Sequence, residues 1–214
     1  MNLNTIYNED CLETMKRMPD NFVDLIVTDP PYGIKLDKGF EGFGGFGGFG
    51  TKIARRQYAD SWDDEIPSKE TFHEMLRVSK KAVICGGNFF AHLLPQSRHW
   101  IFWDKLNTMP SFGDGELIWT NIDRKSVKKF TLEWNGLLGK EESRYHPTQK
   151  PKKLLTYLIT TYSKEDSDII YDPFMGSGTT ARACIDLGRS YIGSEISKEY
   201  CDIAEQRLRQ GVLL

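Results

Sequence analysis

Short apolar runs alternate with helical patterns along most of the chain, and this alternation constrains the fold most strongly. The strand-like runs are continuous in hydrophobicity, which is typical of strands covered on both faces; they comprise residues 5–7, 22–28, 81–85, 100–103, 116–120, 168–171 and 190–193. Helical patterns lie between them, at residues 67–78, 151–162 and 179–187 and after Ser197. Strands that alternate with helices predict an α/β protein with a doubly wound, mostly parallel sheet and helices on both faces.

The length and the composition are those of one soluble domain. The chain has 214 residues, of which 39% are hydrophobic and 27% are charged, and this suits a single domain. No apolar run approaches the ~20 residues of a membrane span, and the N-terminus is polar and acidic, unlike a signal peptide. The four cysteines show no C-x-x-C spacing and are expected to be reduced thiols. These features predict a cytoplasmic protein without a membrane partner.

Two segments interrupt the alternation. Residues 33–60 contain a Gly/Phe-rich stretch, because residues 39–50 hold 7 of the 19 glycines and 4 of the 12 phenylalanines; a flexible loop is expected there. Residues 106–145 are polar and weakly periodic, and residues 121–153 carry nine Lys/Arg against four Asp/Glu. Residues 1–34 carry two Lys/Arg against six Asp/Glu. The formal net charge of -2 is therefore the sum of an acidic region and a basic region, and it does not exclude binding to nucleic acid.

A glycine-rich turn follows the strand that ends near Asp172. Gly176 to Ala181 fits the pattern G-x-G-x-x-[GA], between a strand and a helix. In such a turn the first glycine permits a tight bend, the second allows a ligand to approach the backbone, and the alanine lets the helix pack closely. Glu195 stands at the end of the next strand, where a carboxylate can accept both hydroxyls of a ribose. The pattern favours a nucleoside-type cofactor over a plain strand-to-helix turn with a surface Glu.

The number of residues that follow this turn limits which cofactors the chain can bind. A dinucleotide enzyme needs a second mononucleotide-binding half downstream, and only 36 residues follow Gly178. A cofactor with a single nucleoside therefore fits better. Asp172, at a strand end, is placed to meet a positive group. S-adenosylmethionine offers an ammonium, a sulfonium and a ribose, so it would engage both Asp172 and Glu195.

The tetrapeptide Asp29-Pro30-Pro31-Tyr32 directly follows another apolar strand. Two prolines lock the backbone and remove two N–H donors, which leaves carbonyl groups beside a carboxylate that also accepts. A rigid group of acceptors next to an aromatic ring suits the binding of an amino group on a flat ring, with the acceptors holding the NH₂ hydrogens and Tyr32 stacking on the ring. The alternative is a strand-ending turn in which Tyr32 is merely half-buried.

Three motifs together resemble the hallmark motifs of the amino-DNA methyltransferases. They are the Asp-Pro-Pro-Tyr motif, the His-Pro-Thr-Gln-Lys-Pro motif at residues 146–151, and the Asp-Pro-Phe-Met-Gly-Ser-Gly-Thr-Thr motif at residues 172–180. Their order resembles that of the β-group of this family. The resemblance implies a circularly permuted Rossmann-like methyltransferase fold, with a seven-stranded sheet whose last strand is antiparallel. It also implies one catalytic domain over residues 1–214, with a small target-recognition segment inserted at about 106–145.

The resemblance implies a role for each motif residue in an S-adenosylmethionine-dependent transfer to DNA. Asp29 and the Pro30 carbonyl would hold the exocyclic amino group, Pro31 would fix the turn, and Tyr32 would stack on a flipped-out base. The residues expected to bind the cofactor are Asp10, Cys11, Lys150, Asp172, Phe174, Gly176, Ser177, Gly178, Thr179 and Glu195. Within this set, Lys150 would meet the cofactor carboxylate. Asp10 also fits a plain helix N-cap. No metal is expected.

Double-stranded DNA is the expected partner, held by basic residues with aromatic residues between them. The candidates are Arg55, Arg56, Arg124, Lys125, Lys128, Lys129 and Arg144. For any single one of them a solvated surface position is the alternative. The Gly/Phe-rich stretch is either a surface loop or a loop that folds over the flipped base.

Several functional alternatives stay open from the sequence. An Asp before Pro-Pro-Tyr is commoner among the adenine-N6 enzymes of the family, and cytosine-N4 is the alternative target. An RNA or protein methyltransferase, or a non-catalytic DNA-binding protein on the same fold, comes next. The sequence leaves open whether a homodimer forms and whether a cognate restriction endonuclease is a partner.

Overall fold

The computed structural model describes residues 1–34, 65–107, 113–134 and 149–209. In chain order the elements are β1 (Thr5–Tyr7), α1 (Cys11–Lys16), β2 (Leu25–Thr28), α2 (Lys69–Val78), β3 (Ala82–Ile84), β4 (Trp100–Asp104), β5 (Gly115–Thr120), β6 (Lys128–Thr131), α3 (Lys152–Tyr162), β7 (Ile169–Asp172), α4 (Thr179–Asp186), β8 (Ser190–Ser194) and α5 (Lys198–Arg209). All seven strands expected from the apolar runs are present, with ends that differ by a few residues. The Gly/Phe-rich stretch at 39–50 lies outside the described residues.

The strands form one sheet in the order β1-β8-β7-β2-β3-β5-β4-β6. Each neighbouring pair is parallel except the two that involve β5, which runs antiparallel to both β3 and β4. The α/β class and the mostly parallel sheet are thus confirmed. Two details differ from the expectation: the described residues contain eight strands, not seven, and the antiparallel strand is β5, not the last strand of the chain.

The additional strand is β6, whose sequence Lys-Lys-Phe-Thr carries no apolar run. It pairs in parallel with β4, and its inward side chain Phe130 stacks on Tyr157 of α3 with ring centroids 4.4 Å apart. Backbone pairing with β4, the aromatic contact of Phe130 and an ion pair between Lys129 and Asp104 hold this strand, so hydrophobic periodicity could not predict it.

Both faces of the sheet are covered, which explains why the central strands are apolar throughout. On β2, Leu25 and Val27 pack into the cluster beneath α3 and α4, whereas Ile26 packs on the opposite face with residues of α1 and α2. Because β2, β3, β7 and β8 run in one direction, their carboxyl ends share one edge of the sheet. That edge carries the Asp-Pro-Pro-Tyr turn, the glycine-rich turn and Glu195, as is usual for ligand sites in open α/β sheets. No helix in the described part of the chain could cross a membrane.

Candidate active site

The residues after β2 form one half of a cavity of about 320 Å³, and the residues after β7 and β8 form the other half. Most of the predicted site residues line it: Asp29, Pro30, Pro31, Tyr32, Lys150, Asp172, Phe174, Gly176, Ser177, Thr179 and Glu195. The structure therefore brings the three motifs, which are widely separated in the sequence, to one site.

Asp10, Cys11 and Gly178 do not line this cavity. The Asp10 side chain accepts a hydrogen bond from the Leu12 backbone N–H at 2.7 Å and caps α1, which accounts for this residue without a ligand. Cys11 is buried against the core, and burial raises the pKa of its thiol to about 12.

Asp29 lies in a network of charged and hydroxyl groups. Its Oδ1 atom accepts a hydrogen bond from the Tyr32 hydroxyl at 2.6 Å and lies 2.7 Å from the Lys150 ammonium nitrogen. Lys150 also donates to the Tyr32 hydroxyl oxygen at 3.0 Å. A lysine ammonium has three donors, and a third oxygen, Oε1 of Glu116, lies 3.4 Å away. Lys150 thus contacts the catalytic turn and Glu116 and also lines the cavity, and its expected contact with a cofactor carboxylate stays a prediction.

Glu116 on β5 is a member of this network that the sequence motifs did not predict. Its Oε1 atom also lies 2.9 Å from the Tyr32 hydroxyl, and its Oε2 atom lies 3.1 Å from the ammonium nitrogen of Lys105, which follows β4. The signal that could have found it is a Glu inside an otherwise apolar strand. Ligand atoms of Asp29, Cys85 and Glu116 lie within 4.8 Å of one another, but the Lys150 ammonium already lies against both carboxylates.

Burial and charge act in opposite directions on the two carboxylates. Burial raises the pKa of Asp29; the Lys150 ammonium lowers it, the Glu116 carboxylate raises it further, and the net shift is upward. Burial alone would also raise the pKa of Glu116, but the Lys150 and Lys105 ammonium groups outweigh it and lower that pKa. Lys150 in turn has a pKa above its usual range because the two carboxylates outweigh the effect of its burial. Glu116 thus has a second ammonium partner, Lys105 at 3.1 Å, in addition to the Lys150 ammonium that it shares with Asp29.

The Tyr32 ring is in contact with Phe89 on one face and with Gly86 along one edge. It stacks on Phe89, with centroids 4.6 Å apart and planes 12° from parallel. Gly86, after β3, has a φ of +64°, and a Cβ atom there would lie 2.3 Å from the Tyr32 ring. Only glycine therefore fits beside this ring, and the tyrosine is fixed before any base arrives.

Asp172, at the end of β7, is a buried acceptor. Its Oδ1 atom accepts from the Thr28 hydroxyl at 2.7 Å and from the Phe174 N–H at 3.0 Å, and its Oδ2 atom accepts from the Thr180 hydroxyl at 2.5 Å. Burial raises the pKa of this carboxyl to about 6 despite these three hydrogen bonds. A carboxylate offers about four acceptor sites, so one is left for a donor in the cavity.

Glu195 and the two glycines set the shape of the glycine-rich turn. The Glu195 carboxylate accepts from the Gly176 N–H at 2.7 Å and from the Ser197 N–H at 2.8 Å, while burial raises its pKa. Gly176 has a φ of +53° and open space where a Cβ would be. Gly178 has a φ of +83°, but an added Cβ would lie 2.9 Å from the Cβ of Ala204. The second glycine therefore permits close packing on α5, whereas the sequence had suggested approach by a ligand.

The described basic candidates lie away from this site. Arg124 and Lys125 precede β6, so they lie at the amino-terminal edge of the parallel strands, opposite the edge that carries Asp29. Arg124 lies over the ring of Tyr162, near the end of α3. Lys128 begins β6, and Lys129 pairs with Asp104 at 2.6 Å. Arg55, Arg56 and Arg144 lie outside the described residues.

Comparison with known proteins finds similarity to DNA methyltransferases. Residues 102–206 match the model of the N6/N4 methyltransferases, a family of DNA methylases. The type II methyltransferase M.HinfI of Haemophilus influenzae is 28% identical over 97% of this chain and 69% of its own length. The chain is thus similar to the N6/N4 DNA methyltransferases along nearly its whole length. The resemblance carried by the three motifs is thereby confirmed.

Solved structures agree with the family and the fold. The M1.HpyAVI–SAM complex superposes with a TM-score of 0.60 at 26% identity, covering 95% of this chain and 98% of that one. The PvuII DNA methyltransferase, which is cytosine-N4-specific, superposes with a TM-score of 0.64 over 98% of this chain and 88% of its own, at 14% identity. At that identity the second likeness supports the fold alone. The sequence comparison and the Rossmann-like fold are therefore both consistent with an N6/N4 methyltransferase.

Proposed function

We propose that this DNA methyltransferase transfers a methyl group from S-adenosylmethionine to the exocyclic N6 amino group of a flipped-out adenine in double-stranded DNA. One observation carries the proposal: the Asp-Pro-Pro-Tyr turn and the glycine-rich turn line the same cavity. A group that binds a planar amino compound thus lies next to a group suited to a cofactor with a nucleoside, an amine and a carboxylate.

The cavity residues fit S-adenosylmethionine. Asp172 is a buried carboxylate with remaining acceptor capacity, which suits an ammonium group. Glu195 suits the ribose hydroxyls because each of its oxygens accepts one backbone N–H and can accept a second donor. The open space at Gly176 allows a ligand to approach the turn. We assign Phe174, Ser177 and Thr179, which also line the cavity, to the same cofactor.

The catalytic turn performs the transfer without a metal or a covalent enzyme intermediate. The bound cofactor supplies an electrophilic methyl group on a sulfonium. Asp29 and the Pro30 carbonyl hold the hydrogens of the amino group and direct its lone pair toward the methyl carbon, so the rate comes from alignment and from acceptors aimed at the developing positive charge. The nitrogen loses one proton after the transfer, and we assign its acceptance to Asp29, which holds the amino hydrogens in this proposal and whose pKa is raised.

Adenine is favoured over cytosine by the Asp that precedes Pro-Pro-Tyr. Cytosine-N4 remains the competing target, and the exocyclic amino group is the shared chemistry. The decisive experiment incubates the purified protein with labelled cofactor and duplex DNA, RNA or protein, followed by mass spectrometry of the digested nucleosides. N6-methyladenine is the expected product; N4-methylcytosine would replace the adenine assignment, and label in RNA or protein alone would replace the DNA substrate.

A variant with Asp29→Ala tests the assignment of the catalytic turn. Loss of the carboxylate is expected to abolish methyl transfer while leaving cofactor binding largely intact, because Asp29 holds the amino group and not the cofactor. Wild-type turnover by this variant would refute the mechanism. Light scattering of the wild-type protein with and without DNA tests whether a second subunit takes part in DNA binding.

A further inference from the structure

Glu116 is buried at a position where the strand pattern favours an apolar side chain. On β5 the Glu116 carboxylate is only 8% exposed, whereas the next residue, Leu117, is 38% exposed. Burial of a carboxylate costs free energy unless it is paired. Strand β5 thus buries a glutamate and exposes a leucine, which lowers stability. Departures of this kind from the usual pattern are typical of functional sites.

Glu116 and Asp29 share the same two donors. The Tyr32 hydroxyl has one proton, which it can donate to Asp29 Oδ1 at 2.6 Å or to Glu116 Oε1 at 2.9 Å. The Lys150 ammonium lies 2.7 Å from Asp29 Oδ1 and 3.4 Å from Glu116 Oε1. A shift of the hydroxyl proton toward Glu116, with a small movement of the ammonium, would therefore reduce the number of donors on Asp29 without leaving a donor unpaired.

Such a shift would make Asp29 a stronger partner for the amino group of a base. An acceptor that already binds a hydroxyl and an ammonium is a weaker partner for a third donor. We propose that Glu116 is a positioning residue for methyl transfer: it holds the Tyr32 hydroxyl and the Lys150 ammonium while Asp29 binds the target amino group. This inference rests on the proposed function of Asp29 and extends it to a residue outside the sequence motifs.

The charges around the pair support this division of roles. The ionisable groups that face the two carboxylates are Lys150 before α3, Lys105 after β4, Tyr32 in the turn and Cys85 after β3, with Asp172 at the end of β7. Two ammonium groups balance two carboxylates. Glu116 faces two ammonium groups, Lys105 at 3.1 Å and Lys150 at 3.4 Å, and the pKa of Glu116 is lowered whereas that of Asp29 is raised. Both observations support Glu116 as the fixed charge of the pair.

The test is Glu116→Gln, which removes the charge and keeps the shape. Its matched control is Glu74→Gln, which removes a carboxylate paired with Arg77 on α2, outside the cavity. We expect Glu116→Gln to lower kcat by about tenfold or more, the effect of one charge-assisted hydrogen bond, with KM for the cofactor within about twofold of wild type. The acid limb of kcat/KM should move to lower pH, because loss of the neighbouring negative charge lowers the pKa of Asp29.

A second variant and a second measurement separate positioning from folding and from the proposed function. Glu116→Asp keeps the charge, and it should restore the acid limb and part of kcat. In the protein without cofactor, a carbon NMR titration of the Asp29 carboxyl should give a lower pKa in Glu116→Gln than in wild type. An unchanged Asp29 titration, or unchanged kcat and acid limb, would overturn the inference. Absence of methyl transfer by the wild type would refute the proposed function alone, since the titration still decides the link between the two carboxylates.

Discussion

The ammonium nitrogen of Lys150 lies 2.7 Å from Oδ1 of Asp29. This contact joins the His-Pro-Thr-Gln-Lys-Pro motif to the Asp-Pro-Pro-Tyr motif in the lining of the cavity. The remaining two donors of Lys150 face Tyr32 and Glu116. The lysine therefore faces a half-buried acid, Asp29, and a buried acid, Glu116. Its position couples two motifs that lie far apart in the sequence.

Replacement of Lys150 by Met should expose this coupling. The variant leaves the half-buried Asp29 next to the buried Glu116 without the shared ammonium. We therefore expect the pKa of Asp29 to rise and the acid limb of kcat/KM to move to higher pH, the direction opposite to Glu116→Gln. The free energy of unfolding should fall by about 3 kcal/mol, as is typical when one partner of a buried ion pair is removed. Urea denaturation and a pH–rate profile measure the two effects.

The double variant Lys150→Met with Glu116→Gln is the control for Lys150→Met. It removes one positive and one negative charge together, so part of the lost stability should return. Cofactor affinity separates the two roles of Lys150. If the main effect of Lys150→Met is a large loss of affinity for S-adenosylmethionine at unchanged kcat, Lys150 binds the cofactor carboxylate and not the catalytic turn.

The affinity for the cofactor should depend on pH through Asp172. The folded pKa of about 6 lies above the ordinary value near 3.8, so the carboxyl is increasingly protonated below pH 6 and no longer attracts an ammonium. At pH 5 about one molecule in eleven has this group ionised, which predicts about tenfold weaker binding than at pH 7. Calorimetric titration with S-adenosylmethionine between pH 5 and pH 8 measures it.

Asp172→Asn is the control for this pH dependence. The variant should bind the cofactor more weakly at neutral pH, and its affinity should lose most of the change between pH 5 and pH 7. A profile for Asp172→Asn as steep as that of the wild type would assign the titration to another group, of which Glu195, with its raised pKa, is the nearest candidate.

The sequence predicted the elements whose formation depends on local hydrophobicity. The runs at β2, β3 and β7 are apolar because both faces of the sheet are covered, and a periodicity argument detects this. Hydrophobicity did not predict strand β6 because Lys128 and Lys129 contribute no apolar signal. The same limit applies to the site: the three motifs predicted Asp29 and Asp172, but the position of Glu116 next to Asp29 follows from the antiparallel pairing of β5 with β3 and β4.

The two glycines at positive φ that flank α4, Gly178 before it and Gly188 after it, should differ in their tolerance of alanine. Gly178 and Gly188 have φ values of +83° and +66°, so alanine costs about 1 kcal/mol of backbone strain at either position. Gly188 has open space for a Cβ, whereas at Gly178 the added atom would lie 2.9 Å from Ala204. We expect Gly178→Ala to lower the free energy of unfolding by roughly 2 to 3 kcal/mol, since overpacking adds to strain. Equal losses in urea denaturation would show that α5 moves away at no cost.

The position of the sheet edges predicts which basic residues bind DNA. In the sequence, Arg55 and Arg56 lie between Ile34 and Glu65. The turn before Ile34 and the segment after Glu65 both lie at the active-site edge of the sheet, where Gly33 is close to Ile66. Lys125 lies at the opposite edge, and no carboxylate of the described residues lies close enough to pair with it. We therefore expect Arg55→Ala with Arg56→Ala to weaken binding to duplex DNA and Lys125→Ala to leave it unchanged.

Fluorescence anisotropy with a labelled duplex over a range of KCl concentrations measures both variants. Each phosphate contact that is lost should reduce the slope of log affinity against log salt by about 0.9, so the double arginine variant should lose up to about twice that amount, whereas the slope for Lys125→Ala should match the wild type. Cofactor affinity should be the same in Lys125→Ala and in the wild type, because Lys125 does not line the cavity. A loss of slope in Lys125→Ala as large as in the arginine variant would mean that DNA also contacts the edge of the sheet opposite Asp29.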